Sequence, residues 1–336
     1  MRKTLYWVLI GIFSLIFLIS AYVVVDYMIT SRESQDYWGE ISNEFHGNGT
    51  QGKPTVQPPV TTVRPGTQVP SNPVGSTGAP LPTTEPSDET QPTLPSEPTQ
   101  PPVTVPPEPT QPPQPPQPTL PPEPTQPLEV LSNFKTLLKR NKDVVGYISI
   151  EIQPEFRNKS YIGGLKYLLD YPILHHPQEK DYYLRRNLDR VYDADGPGSI
   201  YLREQCDMFE PTDVMTIYGH AMADGSMFGM LNRYYLYKEF FDAHQYIQVW
   251  DLYAQHTYQV VCVFKTSGTY GVGFPYHLFD DFTDEAEYNE FINGVRDLAK
   301  YDTGIETQYG DKFICLSTCE YTMNNGRLVV VAKRIS

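Results

Sequence analysis

The sequence has little positive charge. Its 336 residues include 26 Lys and Arg against 40 Asp and Glu, and the formal net charge is −14. No basic cluster is longer than Lys139-Arg140. Proteins that bind nucleic acid carry basic patches that neutralise phosphates. Nucleic acid is therefore excluded as an expected partner.

Cysteine is also scarce, with four residues in the whole chain. Their spacing is neither the dense pattern of a disulfide-built domain nor the CxxC pairing of a structural zinc site. We expect no metal and no cofactor. A free cysteine behaves as a small hydrophobe, so each thiol taken alone is most simply a core residue. The four are Cys206, Cys262, Cys315 and Cys319.

A long apolar run is present at the N-terminus. Residues 5–25 are uncharged, which is long enough to cross a bilayer, and Arg2 and Lys3 precede them. Cationic residues stay on the cytoplasmic side, so we predict a single-pass cell-membrane protein with residues 1–4 inside and the remainder outside. A cleaved signal peptide is the alternative, but its apolar core is normally about 7 to 15 residues long. We interpret residues 26–53 as a juxtamembrane segment.

Proline is concentrated in one stretch. Residues 54–127 hold 26 of the 32 prolines, in repeats such as PPEPTQPP. Such a segment lacks the apolar side chains of a core and favours extended polyproline II. At about 3.1 Å per residue it reaches roughly 230 Å, which predicts a disordered stalk of cell-wall dimensions. A ligand for an SH3-type domain is the other interpretation, and an extracellular location disfavours it.

Residues 128–336 have the composition of one globular domain. Helical spacing of apolar residues predicts an amphipathic helix at the start of this domain, in LEVLSNFKTLLKRN, and a second one in TDEAEYNEFINGVRDLAK with Thr283 or Asp284 as N-cap. SMFGMLNRYYLYKEFF is also predicted to be helical. Short β-type runs bounded by turn residues predict a mostly antiparallel barrel or sandwich. These runs are VVGYISI, GSIYLRE, DVMTIYG, QYIQVWDL, TYQVVCVFK, KFICLST and RLVVVAKRI.

Three residues at predicted strand ends form a candidate catalytic set. Cys319 ends one strand, Arg327 starts the next, and His220 follows a third in TIYGH. Singly, each is more often structural. Together they suit acyl transfer, because a thiol is a strong nucleophile only as thiolate and an imidazole can pair with it and then protonate an amine. A guanidinium can stabilise the oxyanion.

The domain resembles the class B sortases of Gram-positive bacteria. The likeness is carried by IYGH with the following GSMFGML, by LSTC, and by RLVVVAK at a short cysteine-to-arginine spacing. Upstream, NKDVVGYISI, YPILHH, DYYL and GPGSIYL match the early strands in order. The resemblance covers residues 128–336. It implies a closed β-barrel of about eight strands, with an N-terminal helix and a helix inserted between the sixth and seventh barrel strands.

The resemblance also implies a membrane-anchored transpeptidase. Cys319 would attack the threonine carbonyl of a C-terminal sorting motif in an exported protein, and His220 would protonate the departing amine. A peptidoglycan precursor amine would resolve the thioester, or a pilin lysine if the protein is a pilin polymerase. A wall-spanning binding module without catalysis is the remaining alternative. The sequence does not specify the motif.

Some residues depart from the family pattern or have no place in this mechanism. Ala221 stands where the family often has asparagine, and the proline segment is longer than the usual linker. Glu320 faces either the peptide groove or solvent, and we expect solvent. The cysteines other than Cys319 are expected to be packing residues. The sequence leaves open whether Cys262 and Cys315 are close together on adjacent strands.

Overall fold

The computed structural model of the protein describes residues 2–47 and 128–336. The predicted proline-rich stalk, residues 54–127, lies outside the described residues, as does the end of the juxtamembrane segment. Within the described ranges the helices are α1 (Arg2–Gly47), α2 (Phe134–Arg140), α3 (Pro154–Arg157), α4 (Asn232–Leu236), α5 (Lys238–Ala243) and α6 (Glu285–Asp297). The strands are β1 (Val144–Glu151), β2 (Tyr167–Leu174), β3 (Ile200–Leu202), β4 (Val214–Tyr218), β5 (Tyr246–Asp251), β6 (Gln255–Ser267), β7 (Ala299–Asp302), β8 (Phe313–Glu320) and β9 (Gly326–Arg334).

Eight of these strands form a closed barrel. They are ordered β5-β1-β2-β3-β4-β8-β9-β6, and the pairing of β6 with β5 closes the ring. β7 pairs with residues 262–264 in the middle of β6 and is not part of the ring. Most pairs are antiparallel, but β2–β3 and β4–β8 are parallel. The predicted closed barrel is therefore confirmed, with α6 between its sixth and seventh strands in chain order.

Buried apolar residues lie on both faces of the central strands. In β9, Leu328, Val330 and Ala332 belong to the larger cluster of buried apolar residues, whereas Val329 and Val331 belong to a smaller cluster with α6. This explains why RLVVVAK reads as a continuous apolar run instead of an alternating one. Both faces of β9 are covered.

Helix α6 shows the N-cap that the sequence predicts. The Asp284 side chain accepts a hydrogen bond from the Glu287 backbone N–H at 2.9 Å, which satisfies one free donor at the helix start. Phe291, Ile292 and Val295 are buried, as their helical spacing predicts. The helix ends at Asp297, three residues earlier than the apolar pattern suggests, because the chain from Ala299 forms β7.

Helix α1 contributes to the packed core, which composition alone does not predict. Its first half is apolar and exposed, and by length and composition it can cross a membrane. Its last turns pack on the barrel, with Trp38, Ile41 and Phe45 buried. The composition change at Leu128 therefore marks the start of the globular sequence but leaves out these three core residues. The domain limits remain predictions.

Candidate active site

Strand pairing places Cys319 beside Arg327. The two residues are direct partners in the antiparallel β8–β9 pair, near the end where β8 leaves the barrel. Side chains opposite each other in such a pair have Cβ atoms about 4.5 to 5.5 Å apart. β8 is buried from Phe313 to Thr318, and Cys319 is the first partly exposed residue. The sequence prediction of a thiol at a strand tip next to an arginine is therefore correct in position.

His220 reaches the same edge through β4, which runs parallel to β8. Tyr218 is the partner of Ser317, and the Gly219 backbone N–H donates to the Ser317 carbonyl at 3.3 Å. The chain then leaves the strand at His220, one step beyond the pairing and level with Cys319. Two strands widely separated in sequence thus present the thiol and the imidazole on one rim of the barrel.

Thr318 ties these two strands together, and the sequence reasoning missed it. Its buried hydroxyl donates to the Gly219 carbonyl at 2.7 Å. Thr318 precedes the thiol and Gly219 precedes the imidazole, so one hydrogen bond joins the residues next to both groups. The only sequence signal was a hydroxylated residue directly before Cys319.

Gly219 is required by close packing at this point. A Cβ atom there would lie 2.5 Å from Cδ1 of Ile200 and 2.7 Å from Cγ of Phe228. Any side chain would push β4 away from these residues and displace His220.

The imidazole of His220 is partly buried. Burial lowers its pKa, and nearby Arg185 acts in the same direction, while a hydrogen bond to the Leu184 carbonyl opposes them. The Nε2 atom lies 2.8 Å from that carbonyl oxygen, which can only accept. The proton of the neutral ring is therefore on Nε2, and Nδ1 is the nitrogen that can accept another proton.

The guanidinium of Arg327 is held by its own turn. Nη1 donates to the Gly326 carbonyl at 2.9 Å and to the Asn325 carbonyl at 3.3 Å. Asn325 has φ 49°, a left-handed conformation that places its carbonyl in this turn. A guanidinium has five donors, so several remain for a ligand after these two contacts.

Cys319 lies between two cavities. The first, of about 380 Å³, is lined by His220 and Arg327 and also by Tyr218, Tyr276 and Ser317. The second, of about 500 Å³, lies on the other side of the thiol and includes the loop after His220 together with Lys265 and Glu320. A thiol at this junction is accessible to one ligand from each side.

Glu320 does not face open solvent, contrary to the expectation from sequence. Its side chain is 9% exposed and pairs with the Lys265 ammonium at 2.7 Å. Burial would raise its pKa, but hydrogen bonds from Lys265 and Thr322 outweigh this and lower it. Glu320 therefore forms a charged wall of the second cavity.

The other three cysteines are buried packing residues. Burial raises the pKa of Cys206 to about 11, and it also raises the pKa values of Cys262 and Cys315. Cys262 and Cys315 are not on adjacent strands, because β9 lies between β6 and β8 and its Val331 is the partner of both. Of the four thiols, Cys319 is the accessible one.

The described residues contain no group of three or more His, Cys, Asp and Glu side chains that could hold a metal ion. The cavity beside Cys319 brings together its thiol, the imidazole of His220 and the guanidinium of Arg327.

Comparison with known proteins identifies the family. The sequence is 28% identical to sortase B of Staphylococcus aureus over 208 residues, which is 61% of this chain and 76% of the relative. It is 30% identical to sortase B of Listeria monocytogenes over 211 residues, 62% of this chain and 76% of the relative. The chain belongs to the class B sortase family. This sortase is therefore a cysteine transpeptidase, as its resemblance implied.

Solved structures agree with this assignment. A complex of Staphylococcus aureus sortase B with substrate matches with a TM-score of 0.51 and 26% identity, over 62% of this chain and 86% of that chain. A Bacillus anthracis protein similar to sortase B matches with a TM-score of 0.50 and 31% identity, over 63% and 86%. No protein-family model matches the sequence. The sortase barrel thus accounts for the part of the chain that is similar to these relatives.

Proposed function

We propose that this sortase is anchored in the cell membrane through residues 5–25, with its catalytic domain outside. It cleaves a C-terminal sorting motif of exported proteins after threonine and transfers the protein to a peptidoglycan amine. Cys319 is the nucleophile, His220 the general acid and base, and Arg327 the oxyanion donor. The observation that carries this proposal is the position of Cys319, partly exposed between two cavities and opposite Arg327, whereas the other thiols are buried.

The acylation step uses the neutral imidazole of His220. Its lowered pKa favours the uncharged ring at neutral pH, with Nδ1 as the proton acceptor. Nδ1 takes the thiol proton as sulfur attacks the threonine carbonyl carbon, and the carbonyl becomes a tetrahedral oxyanion. The same proton then passes to the departing amine nitrogen as the C–N bond breaks, which leaves a thioester on Cys319.

The Leu184 carbonyl supports the intermediate imidazolium. Its contact with Nε2 is kept in both protonation states, because Nε2 carries a proton in each. Arg327 supplies donors to the oxyanion from the adjacent strand, with its guanidinium already oriented by the 325–326 turn. Deacylation repeats the steps in reverse, with a peptidoglycan amine as nucleophile.

The membrane part of the proposal rests on α1. Apolar side chains cover the first half of this helix and are exposed, for example Phe13 at 68% and Phe17 at 72%. Such a surface is unstable in water and suits a bilayer. The two N-terminal cationic residues predict that the N-terminus is cytoplasmic. A reporter fused after Ser336 tests this: an extracytoplasmic signal is expected, and a cytoplasmic one would refute both location and function.

The decisive test of the chemistry uses the full-length protein in lipid vesicles. It is incubated with a library of sorting-type pentapeptides, and intact-protein mass spectrometry looks for a thioester. We expect an acyl adduct on the parent and none on Cys319→Ala. Cys315→Ala is the matched control, since it removes a thiol from the same strand and should retain the adduct. An adduct on the Cys319 variant, or its loss in a folded Cys315 variant, contradicts the proposal.

A further inference from the structure

The membrane helix does not end where its apolar run ends. α1 continues as one helix to Gly47, and its last turns are part of the barrel core. Phe45 stacks on Tyr147 with ring centroids 3.6 Å apart and an interplanar angle of 3°. Trp38 meets the ring of Tyr171 edge-on at 5.7 Å. An exposed linker would not bury these aromatic rings, so this part of α1 is a docked element.

Polar contacts fix the docked segment, residues 31–47, at several points. The Tyr37 hydroxyl donates to Asp189 at 2.8 Å. The Ser42 hydroxyl and the His46 ring both contact the Asp170 carboxylate, His46 at 3.0 Å. At the first residue of this segment, the Ser31 hydroxyl donates to the carboxylate of Asp224. This last contact differs from the others because Asp224 lines the second cavity beside Cys319.

Asp224 belongs to the loop that follows the catalytic histidine, residues 221–228, which we name the cavity loop. Its carboxylate also accepts from the Ser226 N–H at 2.9 Å and from the Ser226 hydroxyl at 2.7 Å. The loop returns to the histidine, where the Phe228 N–H donates to the His220 carbonyl at 2.9 Å. A displacement of Asp224 would therefore be transmitted to His220.

A second, indirect connection joins α1 to the same loop through Tyr171 of β2. Met227 has φ 52°, a left-handed conformation that is strained for a residue with a side chain. Its N–H donates to the Tyr171 hydroxyl at 3.0 Å, and Tyr171 is the residue that packs on Trp38. Strained backbone persists only where surrounding contacts hold it. Here one of those contacts rests on α1.

We propose that the docked segment of α1 is a positioning element of the active site, and that it holds the catalytic cavity close to the membrane surface. This inference rests on the proposed membrane anchoring. Ser31 is six residues beyond Val25, the end of the apolar run, which is about 9 Å along the helix. The cavity loop that Ser31 contacts therefore lies near the membrane surface, within about 10 Å of the end of the apolar run.

The proline-rich segment does not determine this distance. α1, which ends at Gly47, and the described chain from Leu128 onward belong to the same packed unit. Beyond that point, the Leu131 N–H donates to the Leu252 carbonyl at 2.8 Å, and Phe134 contacts Phe45 with ring centroids 5.3 Å apart. Residues 48–127 thus connect two parts of one packed unit. In this proposal they are not in series between the membrane and the barrel, and so they do not act as a spacer between the two.

The positioning role is tested by removing one helix-to-loop hydrogen bond in the full-length protein in vesicles. Ser31→Ala should slow single-turnover thioester formation at saturating peptide by about tenfold, because a hydrogen bond to a charged group is lost. Tyr37→Phe is the matched control, since it removes a hydrogen bond between α1 and Asp189 that does not reach the cavity loop. It should retain at least half of the parental rate.

Two further measurements distinguish a positioning role of Ser31 from a contribution to docking stability alone. Ser31→Thr keeps the hydroxyl and should restore the rate. Ser31→Ala and Tyr37→Phe should lower the melting temperature by similar amounts. Equal rates in these two variants, or no rescue by threonine, would overturn the positioning role.

The distance to the membrane is tested by energy transfer. Cys319 is the accessible thiol of the four, so a maleimide dye labels it selectively, and acceptor dyes are placed on lipid headgroups of the vesicles. We expect strong transfer both in the full-length chain and after deletion of residues 54–127. Absent transfer in the full-length chain, or transfer that increases sharply on deletion, would show that the segment is a spacer and overturn the inference.

Vesicle flotation distinguishes this failure from a failure of the proposed function. If the labelled protein does not float with the lipid, the proposed anchoring is wrong. If it floats and shows no transfer, the anchoring stands and the docking of α1 at the membrane surface is wrong. The dye blocks catalysis, so this result does not depend on activity.

Discussion

Removing the Thr318 hydroxyl tests whether the catalytic rim depends on the bond between β8 and the end of β4. Valine has almost the same shape as threonine and lacks the donor. In Thr318→Val the buried Gly219 carbonyl loses its 2.7 Å contact. An unsatisfied buried acceptor costs about 1 to 3 kcal/mol. For a domain of this size each kcal/mol lowers the melting temperature by about 2 to 4 °C.

The catalytic effect should exceed the effect on stability. Gly219 precedes His220, so relaxation of this carbonyl shifts the imidazole relative to Cys319. A misplacement of about 1 Å can cost roughly 100-fold in rate. We expect thioester formation by Thr318→Val to be reduced by about 10- to 100-fold in protein that is still folded at the assay temperature. Thr318→Ser retains the donor and should keep most of the activity.

Thr216→Val is a matched control on the neighbouring strand. Thr216 is fully buried in β4, and its hydroxyl has no hydrogen-bond partner among the described residues. The same substitution there removes a polar group that makes no bond, so stability should be unchanged or increased and the rate unchanged. Single-turnover rates and thermal melts are measured on all three variants. Parental activity in Thr318→Val, or an equal loss in Thr216→Val, refutes the reasoning.

Three further predictions concern side chains around the site and the core. Arg327→Lys should lower kcat by about 10² to 10³, because one ammonium cannot replace a planar fork of donors; retention of a third of parental kcat in peptide cleavage would return Arg327 to a strand-edge charge. Lys265→Met should destabilise the protein by about 1 to 3 kcal/mol in denaturant melts, since the largely buried Glu320 loses its ammonium partner. The added change Glu320→Gln should recover part of this loss, and no recovery would mean that packing, not charge, is lost. Burial lowers the pKa of His244, against the opposing effect of its bond to Phe240, so the stability from this group is present above pH of about 6.5 and lost as pH falls. Melting temperature should decline between about pH 7 and 5, and less steeply in His244→Phe; equal slopes would count against His244.

The sequence by itself determined the type of chemistry and most of the elements. Apolar runs bounded by turn residues are local signals, and they predict seven of the nine strands in the described part of the chain and the helix α6 with its cap. The sequence also predicts that Cys319 and Arg327 lie side by side at the strand ends, because β8 and β9 are joined by a short turn and such strands usually pair. Neighbouring residues in the sequence were therefore enough to predict these elements and the positions of Cys319 and Arg327.

The strands without a strong local pattern were recognised less well. β7 has only four residues and alternates between partial burial and exposure, so no apolar run marks it. β2 was noticed only as a family match in YPILHH, because an acidic residue and a proline interrupt its apolar pattern. Their pairing partners, not their own propensities, make them strands.

Contacts between distant parts of the chain were decided by the tertiary structure alone. Glu320 looks like a solvent-exposed acid in sequence, and only the long strand β6 brings Lys265 against it. Cys262 and Cys315 looked like neighbours, but the barrel order inserts β9 between their strands. The Thr318–Gly219 bond joins residues 99 apart.

Helix α1 shows most clearly which features the sequence predicts and which only the folded structure reveals. Its sequence predicts a membrane helix through 21 uncharged residues, because hydrophobic transfer depends on local composition. Whether that helix continues into the barrel depends on contacts across the proline-rich segment. Trp38 and Phe45 meet aromatic rings more than 80 residues further along the chain, and Ile41 is buried in the same cluster. Burial of this kind has no local signal in the sequence, since three apolar residues on a short helical face are equally compatible with an exposed linker. Only the folded barrel provides the surface that covers them.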